Sequence, residues 1–159
     1  MTQLKANDLA YNFTLNSCSS GVVSLDKTNN KYNILYFYPK DDTSGCTLEA
    51  QDFSSLKDEF AKLGVGIYGI SKDNIKSHNK FKEKYHLSVE LLSDEEGIAE
   101  KYGVWVEKSM YGKKYMGIER TTFLIDNNMK IIKVWNKVKV DGHAQEVLDT
   151  CRELSSLRG

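Results

Sequence analysis

Residues 34–46 read Ile34-Leu35-Tyr36-Phe37-Tyr38-Pro39-Lys40-Asp41-Asp42-Thr43-Ser44-Gly45-Cys46. The first five form an apolar, β-prone run, and the chain's only proline ends it. Beyond Cys46, apolar residues recur at Phe53, Leu56, Phe60 and Leu63, a helical spacing that Gly64 terminates. The stretch is therefore a strand, a loop and a helix, with a thiol where the helix begins.

Reading outward from it gives the rest of the fold. Phe13–Leu15 and Val22–Leu25 flank a Ser/Gly-rich tip and predict a short N-terminal hairpin. Val65–Ser71 predicts a second buried strand, and Asp73 or Asn74 caps a helix through Tyr85 that buries Ile75, Phe81 and Tyr85. Asp94 or Glu95 opens a further short helix to Tyr102. Thr121–Ile125 and Lys130–Val140 read as two strands joined by the turn Asp126-Asn127-Asn128, and a last helix runs from about His143 to Leu157. The lysines between Lys130 and Lys139 belong to a solvated sheet face. The order β-α-β-α-β-β-α predicts an α/β fold over residues 1–159 as a single domain: a mixed central sheet flanked by helices, with an N-terminal β-hairpin extension.

The bulk properties bound the function. A chain of 159 residues, 40% hydrophobic and 28% charged, can bury its own core and is neither a disordered nor a membrane sequence. Acidic and basic residues balance at 22 each, so no global field favours nucleic acid or an anionic lipid surface. No apolar run approaches the roughly 20 residues of a membrane span. Met1–Tyr11 lacks the basic start and apolar stretch of a signal peptide. Three cysteines argue against a disulfide framework, and the expectation is a cytoplasmic protein.

The loop carries the chemistry. A free cysteine has a pKa of about 8.5, and a helix N-terminus with nearby cations lowers it to roughly 3.5–7.5. Cys46 stands where the orphan N–H groups of the first helical turn favour a negative charge. Gly45 leaves space beside the sulfur and lets a small substrate approach the backbone. Thr43 can donate to a thiolate or accept from a substrate hydroxyl. Pro39 stiffens the entry and shields the sulfur. The cation has one good candidate: arginine occurs only at 120, 152 and 158, and Arg120 opens the apolar strand Thr121–Ile125. Two readings of Arg120 stand side by side. It either faces the thiolate with donors left for a bound oxygen species, or forms a rim ion pair with Glu119 or Glu49.

Tyr36–Phe53, YFYPKDDTSGCTLEAQDF, resembles the active-site loop of peroxiredoxins of the bacterioferritin-comigratory, or Q-type, subfamily. Gly69-Ile70-Ser71 with Ser77-His78, Leu91-Leu92-Ser93-Asp94 and Tyr102–Asp126 are similar to the same family in the same order. The resemblance spans about Leu4 to Val140. It implies a thioredoxin-like fold and a thiol-dependent peroxidase that reduces hydrogen peroxide and organic hydroperoxides through a sulfenic acid. By position it makes Cys46 the nucleophile, gives Thr43 and Arg120 the task of positioning peroxide and stabilising the thiolate, and makes Pro39 the shield. No metal or organic cofactor is implied, and the partners are a peroxide and thioredoxin or another thiol reductant, with the chain a monomer or weak homodimer.

The chain departs from that pattern at Gln51, where many members of the subfamily carry a resolving cysteine. Of the remaining thiols, Cys151 reads as a packed residue of the last helix and Cys18 as an exposed residue of the hairpin tip. A one-cysteine cycle follows, in which an external thiol reduces Cys46; the alternative is a peroxide sensor or relay that passes its oxidation to a partner protein. A third, weaker rival is a thioredoxin-like disulfide reductase, and the lack of any Cys-x-x-Cys pair counts strongly against it. Ser44 and Tyr11 replace prolines of the family pattern without removing a catalytic group. Gly64-Val65-Gly66-Ile67-Tyr68-Gly69 matches a dinucleotide fingerprint only in letters, because it ends a helix and enters a strand. His78, His86 and His143 read as surface or capping residues, and Tyr111 and Tyr115 as an exposed loop that could rim the site.

Overall fold

The computed structural model describes residues 2–157; Met1, Arg158 and Gly159 lie outside the described residues. The elements are β1 Thr14–Ser17, β2 Gly21–Ser24, β3 Tyr32–Phe37, α1 Ser44–Lys62, β4 Val65–Ser71, α2 Ile75–Tyr85, β5 Glu90–Ser93, α3 Ile98–Lys101, β6 Trp105–Met110, β7 Lys113–Ile118, β8 Thr121–Asp126, β9 Ile131–Trp135 and α4 His143–Leu157.

Seven strands form one mixed sheet in the order β2-β1-β5-β4-β3-β8-β9, and β6 and β7 pair separately as an antiparallel hairpin. The parallel neighbours β3, β4 and β5 lie at the centre, with antiparallel strands to either side. Each residue of β3 and β8 is buried, as expected of strands covered on both faces. Alternation along β3 divides the core. Ile34, Tyr36 and Tyr38 pack on one face with α1, α2 and α4, while Leu35 and Phe37 pack on the other with Ile98, Tyr102 and Val104. Tyr36 and Phe53 stack at 4.8 Å between ring centroids, so α1 is fixed to the strand that delivers the loop.

Local chemistry sets the ends of the helices. Gly64 takes a left-handed φ of 76°, the conformation that closes α1. Asn74 caps α2 by accepting from the Ser77 N–H at 2.8 Å. Asp94 accepts from Ile98 and Ala99 N–H at 2.9 and 2.8 Å, so it serves a helix that starts later and is shorter than the sequence suggests.

Four further expectations need correction. β5 is a strand that the sequence reading omits, and through it the N-terminal hairpin extends one edge of the main sheet. Tyr111 and Tyr115 lie in the turn and second strand of the β6–β7 hairpin, not in an irregular loop. β9 stops at Trp135 rather than Val140, and a left-handed φ of 45° at Lys137 breaks the extended run. His78 and His143 are buried; only His86 fits the capping reading, with a left-handed φ at the end of α2.

Candidate active site

β3 ends at Phe37, and Tyr38 still donates its backbone N–H to Ile70 O at 3.0 Å. Half-buried Pro39 then turns the chain away from the sheet, since it has no N–H to continue the ladder. Asp42 takes a left-handed φ of 59° and is held by the Lys84 ammonium and the Tyr85 hydroxyl at the end of α2, at 2.9 and 2.5 Å. Those two donors hold the exposed Asp42 carboxyl below the usual carboxylate range, Tyr85 first.

Thr43 occupies the N-cap of α1 in extended conformation, and its carbonyl accepts the first helical bond from Thr47 N–H at 2.8 Å. Its hydroxyl donates to Lys40 O at 2.9 Å and makes no cap bond to the helix. The hydroxyl proton is thus committed to the loop, and the oxygen keeps its lone pairs. Cys46 follows in the first turn of α1, two residues later than Ser44, which opens the helix; the helix therefore starts two residues before the position the sequence suggests. Cys46 is only 1% exposed.

Arg120 comes from the short connection between β7 and β8 and completes the cluster. Its Nη2 donates to Cys46 Sγ at 3.3 Å, and its Nη1 donates to Glu49 Oε1 at 2.7 Å. The guanidinium therefore faces the sulfur and also pairs with an acid, which is Glu49 and not Glu119, and that pair is buried rather than at a rim. Its carbonyl accepts from Val138 N–H at 3.0 Å, which ties the segment after β9 to the site. Gly45 is the reason the guanidinium fits: a Cβ there would lie 3.1 Å from Arg120 Nη2.

The electrostatics are those of a buried charge cluster. Burial pushes the Glu49 carboxyl up to about 7, against the pull of the Arg120 guanidinium. Burial also works against the charge of Arg120, but Glu49 and the Cys46 sulfur outweigh it, and the guanidinium holds its proton more tightly than usual. Among the described residues Glu49 Oε2 is buried with no hydrogen-bond partner, and the cation compensating the carboxyl there is Arg120. Glu49 follows Cys46 by one helical turn, which puts carboxylate and sulfur on one side of α1 under the same guanidinium.

The other thiols stand apart from this arrangement. All three cysteines are free. Cys151 is buried on α4, where burial pushes its thiol up to about 12. Cys18 is half-buried rather than exposed, packed against the core with its N–H on Leu91 O at 3.1 Å. Gln51 is exposed on α1. Sequence reasoning did not find Asp41 and His78, whose side chains meet in a buried hydrogen bond at 2.7 Å beneath the loop. The paired acid and imidazole are 37 positions apart, so no local spacing could have joined them.

The AhpC/TSA family model matches residues 6–134. The chain is 54% identical over 137 residues to a putative peroxiredoxin Bcp of Coxiella burnetii, covering 86% of this chain and 91% of that protein. It is 50% identical over 134 residues to the peroxiredoxin Bcp of Bacillus subtilis, covering 84% and 85%. Among solved structures, a cysteine-to-serine mutant of PrxQ from Xylella fastidiosa superposes with a TM-score of 0.91 at 34% identity over 98% of this chain and 99% of that one. The bacterioferritin comigratory protein of Xanthomonas campestris, studied for alkyl peroxide reduction, superposes with a TM-score of 0.84 at 38% identity over 90% and 92%. A thioredoxin-like sheet that delivers a thiol to a helix start under a guanidinium agrees with these matches: the chain belongs to the AhpC/TSA family, as a thiol peroxidase of the Bcp, or Q-type, peroxiredoxins.

Proposed function

We propose that Cys46 is the peroxidatic nucleophile of this thiol peroxidase and that Arg120, Thr43, Gly45 and Pro39 build its site. The observation that carries this reading is the 3.3 Å hydrogen bond from Arg120 Nη2 to Cys46 Sγ in the first turn of α1. A guanidinium donor and the helix N-terminus both favour the anionic sulfur. The Cys46 thiolate attacks the terminal oxygen of a hydroperoxide. The S–O bond forms as the O–O bond breaks, leaving a sulfenic acid on Cys46 and an alkoxide or hydroxide that takes up a proton from water. Charge moves from sulfur to the leaving oxygen, so donors aimed at both ends lower the barrier. Arg120 has N–H groups beyond the two that serve Cys46 and Glu49, and Thr43 presents oxygen lone pairs to a hydroperoxide O–H. Hydrogen peroxide and alkyl hydroperoxides are the substrate class, a reading supported by the alkyl peroxide reduction of the Xanthomonas protein.

The cycle uses one cysteine of this chain. Gln51 cannot resolve a sulfenic acid, and the Cys151 thiol is raised and packed in the core. Two equivalents of an external thiol complete the balance: the first forms a mixed disulfide with Cys46 and releases water, and the second releases Cys46 as thiol. Thioredoxin or another thiol reductant of the cytoplasm supplies them. Peroxide consumption in the presence of thioredoxin, thioredoxin reductase and NADPH tests the reading. Multiple turnovers that vanish in Cys46→Ser support it, and a single stoichiometric oxidation would identify a sensor or relay instead.

A further inference from the structure

We propose that His78 is a positioning residue for the peroxidase reaction, held doubly protonated between Asp41 of the active-site loop and the Leu92 carbonyl of β5. The inference rests on the assignment of Cys46 as nucleophile. His78 lies on α2 and is fully buried. Its Nδ1 stands 2.7 Å from Asp41 Oδ2, and its Nε2 stands 3.1 Å from Leu92 O.

Both neighbours present acceptor oxygens. A neutral imidazole has one N–H and one lone pair, so either tautomer sets a lone pair against one of these oxygens unless Asp41 carries the proton. Asp41 is poorly suited to carry it. Its Oδ1 accepts from the Tyr38 hydroxyl at 2.5 Å, and its Oδ2 accepts from the Ser77 hydroxyl at 2.8 Å. With both carboxyl oxygens already accepting, every contact around the ring is a donor–acceptor pair only when both ring nitrogens donate. The result is a buried Asp41–His78 ion pair whose remaining valences are occupied.

The pair holds the loop that shapes the site. Asp41 lies between Pro39 and Thr43, and its backbone N–H donates to Asp73 Oδ2 at 2.8 Å. Asp73 is fixed in turn by the Ser71 hydroxyl at 2.8 Å. The side chain and backbone of one loop residue are thus fastened to α2, to the end of β3 and to the β4–α2 junction. The next turn of chain carries Lys40 O, to which Thr43 donates, and the N-cap of the helix that bears Cys46. Releasing Asp41 would let the N-cap and the first helical turn drift relative to Arg120, which is carried on the connection between β7 and β8. A displacement of about 1 Å in such a site can cost roughly 100-fold in rate.

Two measurements on the full-length protein test this. Long-range ¹H–¹⁵N correlation spectra at neutral pH should place both ring nitrogens of His78 in the protonated range, and one protonated and one bare nitrogen would overturn the charged pair. The second-order rate constant for Cys46 oxidation by H₂O₂, followed by stopped-flow fluorescence in His78→Gln and Asp41→Asn, should fall about 100-fold at temperatures where circular dichroism shows both variants folded. Wild-type rates in folded variants with a lowered melting temperature would show a structural role only. If a variant fails to fold, the spectrum of the wild-type protein alone decides the protonation, and the other variant decides the rate. Failure of the underlying assignment is distinguishable, because wild-type protein would then show no Cys46 oxidation at all.

Discussion

Arg120 Nη2 lies 3.3 Å from Cys46 Sγ while Nη1 of the same guanidinium lies 2.7 Å from Glu49 Oε1. One planar fork therefore spans a thiol and a carboxylate that share a face of α1. The geometry needs arginine, because a lysine ammonium is a single point charge on a flexible stem and cannot make both contacts in fixed directions.

Arg120→Lys keeps the charge and removes the fork. The rate of Cys46 oxidation by H₂O₂ should fall by about 100-fold, the usual effect of removing one preorganised donor. Stopped-flow fluorescence over a range of peroxide concentrations measures it, and a change under about threefold would remove Arg120 from the reacting centre.

Gly45→Ala places a methyl group 3.1 Å from Arg120 Nη2, closer than a comfortable contact. The guanidinium must give way by a few tenths of an ångström, and the same rate constant should drop roughly 10-fold with little change in stability. An unaltered rate would mean that Arg120 has room the structure does not show.

Glu49 gives a pH signature. Its carboxyl is raised from an ordinary 4.5 to about 7 by burial, so between those values the folded state binds more protons than the unfolded state. The associated stability is present in full below pH 4.5 and is lost as the pH rises through about 7, with a size on the order of 3 kcal/mol. His143 works the other way: burial lowers it to about 4, so its contribution is present above 6.5 and is lost as the pH falls toward 4. The two effects overlap, and only a difference isolates the first. Urea midpoints at about pH 5 and pH 8 should show wild type losing stability relative to Glu49→Gln at the higher pH; a constant difference would contradict the raised carboxyl.

Cys18→Ser combined with Cys151→Ala should leave peroxide turnover with an external thiol within about twofold of wild type, as expected of a cycle that needs neither residue. Cys151→Ala should cost about 1 kcal/mol through the lost packing of a buried sulfur, visible as a lower urea midpoint. Turnover that disappears in the pair would reveal a resolving thiol.

The fold is legible in the sequence where the determinants are local. The apolar run before Pro39, the spacing along α1 and the left-handed glycine at 64 lie within one continuous stretch, and the structure reproduces them with a shift of two residues at the helix start. β5 is hard to read because Leu91 and Leu92 are adjacent and both buried, so a four-residue central strand shows no alternation. The β6–β7 hairpin is equally hidden because nearly all of its residues are exposed or half-buried, and its order comes from pairing rather than from a buried apolar face. At the site, Arg120 stands out through its rarity and its place before a buried strand. His78 does not, because its burial depends on Asp41 and Leu92, which the fold, not the spacing, brings to it.

The central claim, that one sulfur carries the peroxide chemistry without a partner thiol in the same chain, is tested most directly by intact-mass and peptide mass spectrometry after one equivalent of H₂O₂. A single added oxygen confined to Cys46, captured by a sulfenic-acid reagent and absent in Cys46→Ser, is the expected result. An intramolecular loss of two hydrogens, or oxygen found mainly on Cys18 or Cys151, would contradict it.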